Sequence, residues 1–526
     1  MANRVVVEGT LPKAGLGQVV PPRREISALV KDIYQFSLYV QALQEIYDKP
    51  ANDVVSYWQI SGIHGEPYVE WNGTLNVPRS PTDRGFCVHG TPLFPTWHRP
   101  YIVLFEQEVQ RIARRIAATY THDTDRWNIE AAFLRQPYWG WDQIATVVPP
   151  PEVISAPMVS IVKPDSPAEV LVPNPFLTYT YPAGANAVFG APFNAWPRTA
   201  RYPDGLGISQ PAKLQAALQA LGPQIVNNTQ RLMSITTWDA FALGDGTTSG
   251  LESIHDTIHN HTGGPNGNMT FIPVASFDPI FYLHHAQVDR VIALWYSRHR
   301  VWTPNAADLL PFRRTQTEYW KSPEIIQTNT VFNYVYLGIP NAVQSESSEA
   351  GVADYQSEAS STTELEWSVR VECEKYEVGG SFSLYVFMSK EVPSNHTEWL
   401  FHPSFAGTFD VFANPNPEKC ANCTAHADQT IKGFIHINKK YLERSKKKTL
   451  DPEVVIPYLK EHISWGVIKA NGEVADIKKF TTLNVTVICT PLTFSDGAKY
   501  PTEGRPKVYP EITRGRVGGH RDDQEN

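Results

Sequence analysis

Six histidines fall in two sets of three: His64, His89 and His98, then, far along the chain, His255, His259 and His285. Neutral imidazole is a ligand for copper, zinc and iron, and three rings per ion leave open positions for a small molecule. Brought together, the two sets would form a dinuclear metal centre with room for dioxygen between the ions. Oxygen chemistry needs a cofactor, and this layout builds one from side chains and metal alone. His255 and His259 stand four apart, so on a helix they share one face. That spacing is weak by itself, since many such pairs are ordinary polar surface or satisfied core. Zinc hydrolases use it as H-E-x-x-H, with the glutamate as general base. Here Asp256 follows His255, which fits that chemistry poorly.

The elements that must hold these rings are legible as periodicity. After His98, the residues Tyr101, Leu104, Phe105, Val109 and Ile112 recur at helical spacing and predict a helix to about Ala118. Asp278 followed by Pro279 reads as a helix start, and the pattern runs on through Trp295. On that helix Phe281, His285 and Asp289 succeed one another at steps of four and share a face. His285 is therefore the expected ligand, and its neighbour His284 a packing or supporting residue.

Two longer patterns surround the histidines. The first comprises His89, Phe94, Trp97, His98, Arg99 and Glu106; the second comprises Asp278, Pro279, Phe281, His285 and Asp289. In type, spacing and order they resemble the two copper signatures of the type-3 copper proteins, most closely the fungal tyrosinases. The resemblance covers roughly residues 20 to 340 well and the remainder more loosely. It implies a mainly α catalytic domain, residues 1–342, whose four-helix bundle holds two copper ions. His64, His89 and His98 are then ligands of the first copper, and His255, His259 and His285 of the second. Cys87 stands two before His89, where fungal tyrosinases and molluscan haemocyanins join a cysteine sulfur to the histidine ring, so a Cys87–His89 thioether is implied. Glu252 matches a glutamate thought to hold a water near the coppers. Asp256 falls where tyrosinases with strong monophenol activity often carry asparagine, a departure that favours diphenol oxidation over hydroxylation. Phe94, Ile272 and Phe281 are implied as pocket walls, with Ile272 over the second copper and Phe281 between the sites.

The activity implied is oxidation of phenols by dioxygen: ortho-hydroxylation of monophenols and oxidation of o-diphenols to o-quinones, the precursors of pigment. A catechol oxidase or o-aminophenol oxidase, and a haemocyanin-like oxygen carrier, would use the same six ligands. Expected partners are small phenols, dioxygen and an activating protease, with a homo-oligomer left open.

Composition agrees with a globular enzyme. The 526 residues suffice for two or more domains, and 42% of them are apolar. A net charge of −8 gives no electrostatic case for nucleic acid. No apolar run approaches membrane-spanning length. The first residues carry charge where a leader needs an apolar run, and the 5 cysteines do not read as a disulfide framework, so a cytoplasmic location is expected.

The texture changes near residue 345. Residues 343–365, rich in serine and glutamate, are expected to form an exposed linker where a protease cuts. Residues 366–510 then alternate with period two in several stretches, which predicts an antiparallel β-sandwich or barrel. Residues 511–526 are expected to be a polar, disordered tail. Latent fungal tyrosinases and haemocyanins carry such a β domain over the copper site. By that resemblance, Phe412 is the residue that plugs the substrate cavity. Cys420 and Cys423 form a C-x-x-C pair, which reads as a zinc half-site, a redox pair or a Cu(I) binder. The resemblance adds a role in copper loading.

Overall fold

The computed structural model of the chain describes residues 3–13, 19–74, 85–339, 361–495 and 501–522. Five helices organise the first domain: α1 (Ile33–Asp48), α2 (Phe94–Ala117), α3 (Pro211–Leu232), α4 (Leu251–Gly263) and α5 (Ile280–His299). α1, α2, α4 and α5 form the expected four-helix bundle, and α3 packs on the outer side of α4. α2 starts at Phe94, one turn before His98, with Pro95 in the first turn, where a missing N–H costs nothing. α5 starts where the sequence predicts, and the Asp278 carboxylate accepts from the Ile280 N–H at 3.1 Å.

α2 is buried on almost every side, so its charged residues must find partners inside the protein. They do so across the bundle. Asp289 on α5 accepts from Arg99 on α2 at 2.5 Å, from Arg23 at 3.0 Å, and from the hydroxyls of Tyr334 at 2.6 Å and Tyr336 at 2.7 Å. Glu106 accepts from Arg23 at 2.8 Å and from the Gln136 N–H at 2.8 Å. Burial alone would raise the Asp289 carboxyl, but Arg99 and Arg23 hold it below the usual carboxylate range. Breaking one partner of such a buried network costs roughly 3–5 kcal/mol. Arg99, Glu106 and Asp289 therefore brace the helices that carry the histidines.

The second domain is a sandwich of antiparallel strands, as predicted. Its strands are β1 (Ser361–Glu374), β2 (Phe382–Phe387), β3 (Phe405–Val411), β4 (Thr430–His436), β5 (Ser464–Lys469), β6 (Val474–Ala475), β7 (Asn484–Ser495), β8 (Thr502–Glu503) and β9 (Lys507–Val508). One sheet runs β4-β1-β7, with β8 and β9 both on β7; the other runs β6-β5-β2-β3. Alternate residues of β1 (Trp367, Val369, Val371, Cys373) face Leu384, Val386 and Val467 in a shared core.

Two boundaries differ from expectation. β1 begins at Ser361 and pairs with β7 from there to Glu372, so residues 361–365 belong to the sheet and not to the linker. The rest of the expected linker, 343–360, lies outside the described residues. The segment 511–522 is not a free tail either. Ile512, Thr513 and His520 are buried, Gly519 bridges to Val485, and the Arg516 guanidinium lies 4.4 Å over the Trp465 ring. Its few apolar and aromatic-facing residues sufficed to seat it, against the polar average of the stretch. Among the described residues no helix is long and apolar enough to cross a membrane.

Candidate metal centre

α2 carries His98, α4 carries His255 and His259, and α5 carries His285. His64 follows the short helix Tyr57–Ser61, and His89 lies on the loop that leads into α2. All six predicted rings are buried, and they form two facing triangles. In the first, ring centroids are 5.3 Å (His64–His89), 5.4 Å (His89–His98) and 5.7 Å (His64–His98) apart. In the second they are 4.4 Å (His255–His259), 5.0 Å (His255–His285) and 5.6 Å (His259–His285) apart. His98 stacks on His285 at 4.3 Å, which joins the two triangles.

Hydrogen bonds on the outer nitrogens decide what faces inward. Nδ1 of His64 donates to the Ile272 carbonyl at 3.1 Å, that of His98 to Phe94 at 2.9 Å, and that of His259 to Met269 at 2.7 Å. A carbonyl only accepts, so these rings carry the proton at Nδ1 and turn an Nε2 lone pair inward. Nε2 of His64, His89, His98 and His255 has no partner although it is buried. Such an orphan is costly in an empty protein and is satisfied when a cation takes the lone pair. Burial keeps these imidazoles neutral, with His64 pushed down to about 4, and repulsion from neighbouring rings adds to it at His89, His98 and His255. Neutral imidazole is the ligating form. The donor set therefore fits two transition-metal ions.

His284 comes closer than expected, with its ring 4.9 Å from His259 and 5.1 Å from His255. Its tautomer decides its role. The Trp141 indole N–H donates to its Nδ1 at 3.2 Å, so the proton sits on Nε2 and neither nitrogen offers a free lone pair. His285 turns its Nε2 to that of His259 at 3.4 Å and its Nδ1 has no partner, so unlike His284 it keeps a lone pair that no side chain has taken, in accord with the helix-face argument.

Aromatic side chains pack against both sets. Phe94 packs on His255 at 4.7 Å and His98 at 4.9 Å, and Phe281 lies between the sets, 4.2 Å from His285 and 5.0 Å from His64. What Ile272 contributes is its carbonyl, which anchors His64 of the first set.

The two acidic residues are held from both domains. Glu252 accepts from the Gly90 N–H at 2.7 Å and from the Lys375 ammonium at 3.0 Å. Gly90 has φ +73°, and a side chain there would collide with Gln429, so glycine is what lets the His89 loop turn its amide to Glu252. Asp256 accepts from Nδ1 of His255 at 2.9 Å and from the Phe412 backbone N–H at 3.0 Å. Burial, then the neighbouring Glu252, push its carboxyl up. Lys375, at the end of β1, carried no signal in the sequence; its partner is visible only once the domains meet.

Phe412 follows β3 directly and is fully buried, yet it packs in the core of the catalytic domain, not in that of its own. Its ring stacks on His259 at 4.1 Å and 20° and lies 5.7 Å from both His89 and His255. Further seam contacts hold it there: Gln224 exchanges two hydrogen bonds with Thr408, and Asn260 donates to the Val411 carbonyl.

Cys420 and Cys423 are joined as a disulfide beside the first histidine set, where Asn422 between them donates to the His89 carbonyl at 2.8 Å. In this oxidised form the pair offers no thiolate to a metal. Cys87 is a buried free thiol, its sulfur within 4.8 Å of ligating atoms of His64 and His89, and burial pushes it up to about 12. A thiol so protected does not attack unaided. A Cys87–His89 thioether would therefore form only with an oxidant at the metal site, with loss of one hydrogen from each partner. Active protein should show a peptide in which Cys87 and His89 are joined and two hydrogens lighter; a freely alkylatable Cys87 in active protein would refute the crosslink.

Two triangles of buried neutral imidazole on a helix bundle, closed by a β-sandwich, define a dinuclear metalloprotein with a covered site. Comparison with known proteins agrees. Residues 54–298 match the common central domain of tyrosinase, and residues 366–487 match the tyrosinase C-terminal domain. The chain is 30% identical to polyphenol oxidase 4 of Agaricus bisporus over 92% of its own length and 86% of that protein's. It superposes with a TM-score of 0.81 on a structure of latent and active mushroom tyrosinase, at 26% identity over 97% and 99% of the two chains. An oxygen-bound mutant of Aspergillus oryzae pro-tyrosinase, at 21% identity over 96% and 98% of the chains, shares the fold with a TM-score of 0.74. The chain belongs to the tyrosinase family, whose cofactor is a pair of copper ions.

Proposed function

We propose that the chain is a copper-dependent phenol oxidase held in a latent form. Its ligands are His64, His89 and His98 for one copper and His255, His259 and His285 for the other. Bound copper supplies the redox chemistry that couples reduction of dioxygen to ortho-hydroxylation of a monophenol and oxidation of an o-diphenol to an o-quinone. The observation that carries this reading is the Phe412 ring stacked on His259 and set against His89 and His255. A phenol is the same flat ring with a hydroxyl, so the phenylalanine occupies the position a substrate would take.

The chain's own part follows from its contacts. His259 presents its face for stacking, Phe94 and Phe281 pack against the rings and exclude water, and Phe412 closes the space until the C-terminal domain is displaced. Displacement would also remove Lys375 from Glu252 and the Phe412 N–H from Asp256. Each carboxylate would then have lost one donor, Glu252 keeping the Gly90 N–H and Asp256 keeping Nδ1 of His255, and could take up a water and accept the phenol proton. An activating protease cutting within 343–360 is the proposed trigger.

Asp256 supports a second reading, a catechol oxidase, because a carboxylate beside His255 can accept a proton but cannot donate as an amide does. The test is oxygen uptake by the copper-loaded chain on a monophenol and on a catechol. Asp256→Asn is expected to raise the monophenol rate relative to the catechol rate. An unchanged ratio would show that this position does not control hydroxylation.

A further inference from the structure

A cavity of about 490 Å³ lies between the two domains. Its size suits a small organic molecule. The catalytic domain supplies Tyr202 and Asn260, and the C-terminal domain supplies Phe382, Tyr385 and Phe401, so aromatic side chains line it from both sides. Its charges offset one another. Lys213 and Lys469 stand against Glu398 in the lining, and Asp410 adds a buried carboxylate that accepts from the lining residues His261 at 2.9 Å and Ser383 at 2.5 Å. Neither an anion nor a cation is favoured, so the lining suits an uncharged aromatic molecule.

One polar atom sets what else that molecule must carry. Nδ2 of Asn260 donates to the Phe382 carbonyl at 3.1 Å and to the Val411 carbonyl at 3.2 Å. Two carbonyls need a donor between them, which fixes the orientation of the amide and leaves Oδ1 as its acceptor. That oxygen is buried with no partner among the described residues, on a residue only 5% exposed. A buried acceptor without a donor is costly and is relieved by a molecule that brings one. An ether or ester oxygen cannot do so, whereas a hydroxyl can.

We propose that this cavity binds a small uncharged aromatic molecule that carries a hydroxyl, with the hydroxyl donating to Oδ1 of Asn260 and the ring lying among Tyr202, Tyr385 and Phe401. Because the walls come from both domains, the ligand binds the docked arrangement and stabilises it by mass action. The site is separate from the histidines and goes beyond the oxidase reading without resting on it, since binding is measured without turnover.

The experiment is calorimetric titration of the uncut, copper-loaded chain with 2-naphthylmethanol, and with its methyl ether, which keeps the ring and the oxygen but has no donor. The alcohol should bind, and the ether about tenfold more weakly, as loss of one hydrogen bond to a buried acceptor predicts. Phe401→Ala removes part of the wall and should weaken alcohol and ether alike, each by about threefold to tenfold. Asn260→Leu removes the acceptor and should erase the advantage of the alcohol over the ether. Should Asn260→Leu fail to fold, the ligand pair in the parent chain and in Phe401→Ala decides alone. Equal affinity for alcohol and ether in the parent chain would overturn the proposal, because Oδ1 would then receive no donor. So would no binding of the alcohol, which would leave the cavity to water, or binding that Phe401→Ala does not alter, which would place the ligand elsewhere.

Discussion

Replacing His259 by alanine should abolish oxidase turnover and leave the chain short of one copper. This ring does three things at once. It turns an Nε2 lone pair inward because the Met269 carbonyl holds its Nδ1 at 2.7 Å, it lies 3.4 Å from the facing nitrogen of His285, and it offers the stacking face that Phe412 occupies. Removing even an outer partner of a metal ligand costs about 10–100-fold, so loss of the ligand itself should cost more than about a hundredfold in rate. The measurement is metal content per chain together with catechol oxidation, in parent and variant. Two tightly held coppers with normal turnover in the variant would remove His259 from the ligand set. His284→Ala is the contrasting case. Its lone pair is already taken by Trp141, so the copper count should stay at the parent value.

Emptying the substrate position should wake the uncut chain. Phe412 buries its whole ring in the catalytic domain, which stabilises closure by about 1.5–3 kcal/mol. Phe412→Gly should therefore raise the catechol rate of the uncut chain on the order of tenfold to a hundredfold, judged by the same free energy as a shift in population. The effect should be partial, because the backbone N–H of residue 412 still reaches Asp256 and Lys375 still holds Glu252. Adding Lys375→Met leaves a buried carboxylate with only the Gly90 amide, loosens the seam further, and should raise the rate again. Rates compared at equal copper content check this. A double variant no faster than the parent would mean that the C-terminal domain does not close the site.

Much of the centre was legible in the sequence because its parts are local or periodic. The four-residue steps through Phe281, His285 and Asp289 chose His285 over His284, and the tautomer set by Trp141 gives the same choice for an independent reason. The alternation after residue 366 foretold a sandwich, because each strand must turn one face to the other sheet. What the sequence did not carry are contacts between residues far apart in the chain. Lys375 against Glu252, Asn422 against the His89 carbonyl, and the double engagement of Asp256 exist only when the domains dock, and no spacing encodes them. The segment 511–522 reads as a free tail for a related reason. Its average composition is polar, but the buried Ile512, Thr513 and His520, the Arg516–Trp465 contact and the pairing of Gly519 seat it.

The most direct measurement is oxygen uptake on a small catechol by the copper-loaded chain, before and after limited proteolysis between residues 343 and 360. Two coppers per chain, slow uptake when intact and a rise of at least about tenfold on cutting are predicted, the rise matching release of a buried phenylalanine. A chain that holds two coppers yet takes up no oxygen after the cut would contradict the oxidase assignment, and one already at full rate when intact would contradict the closed site.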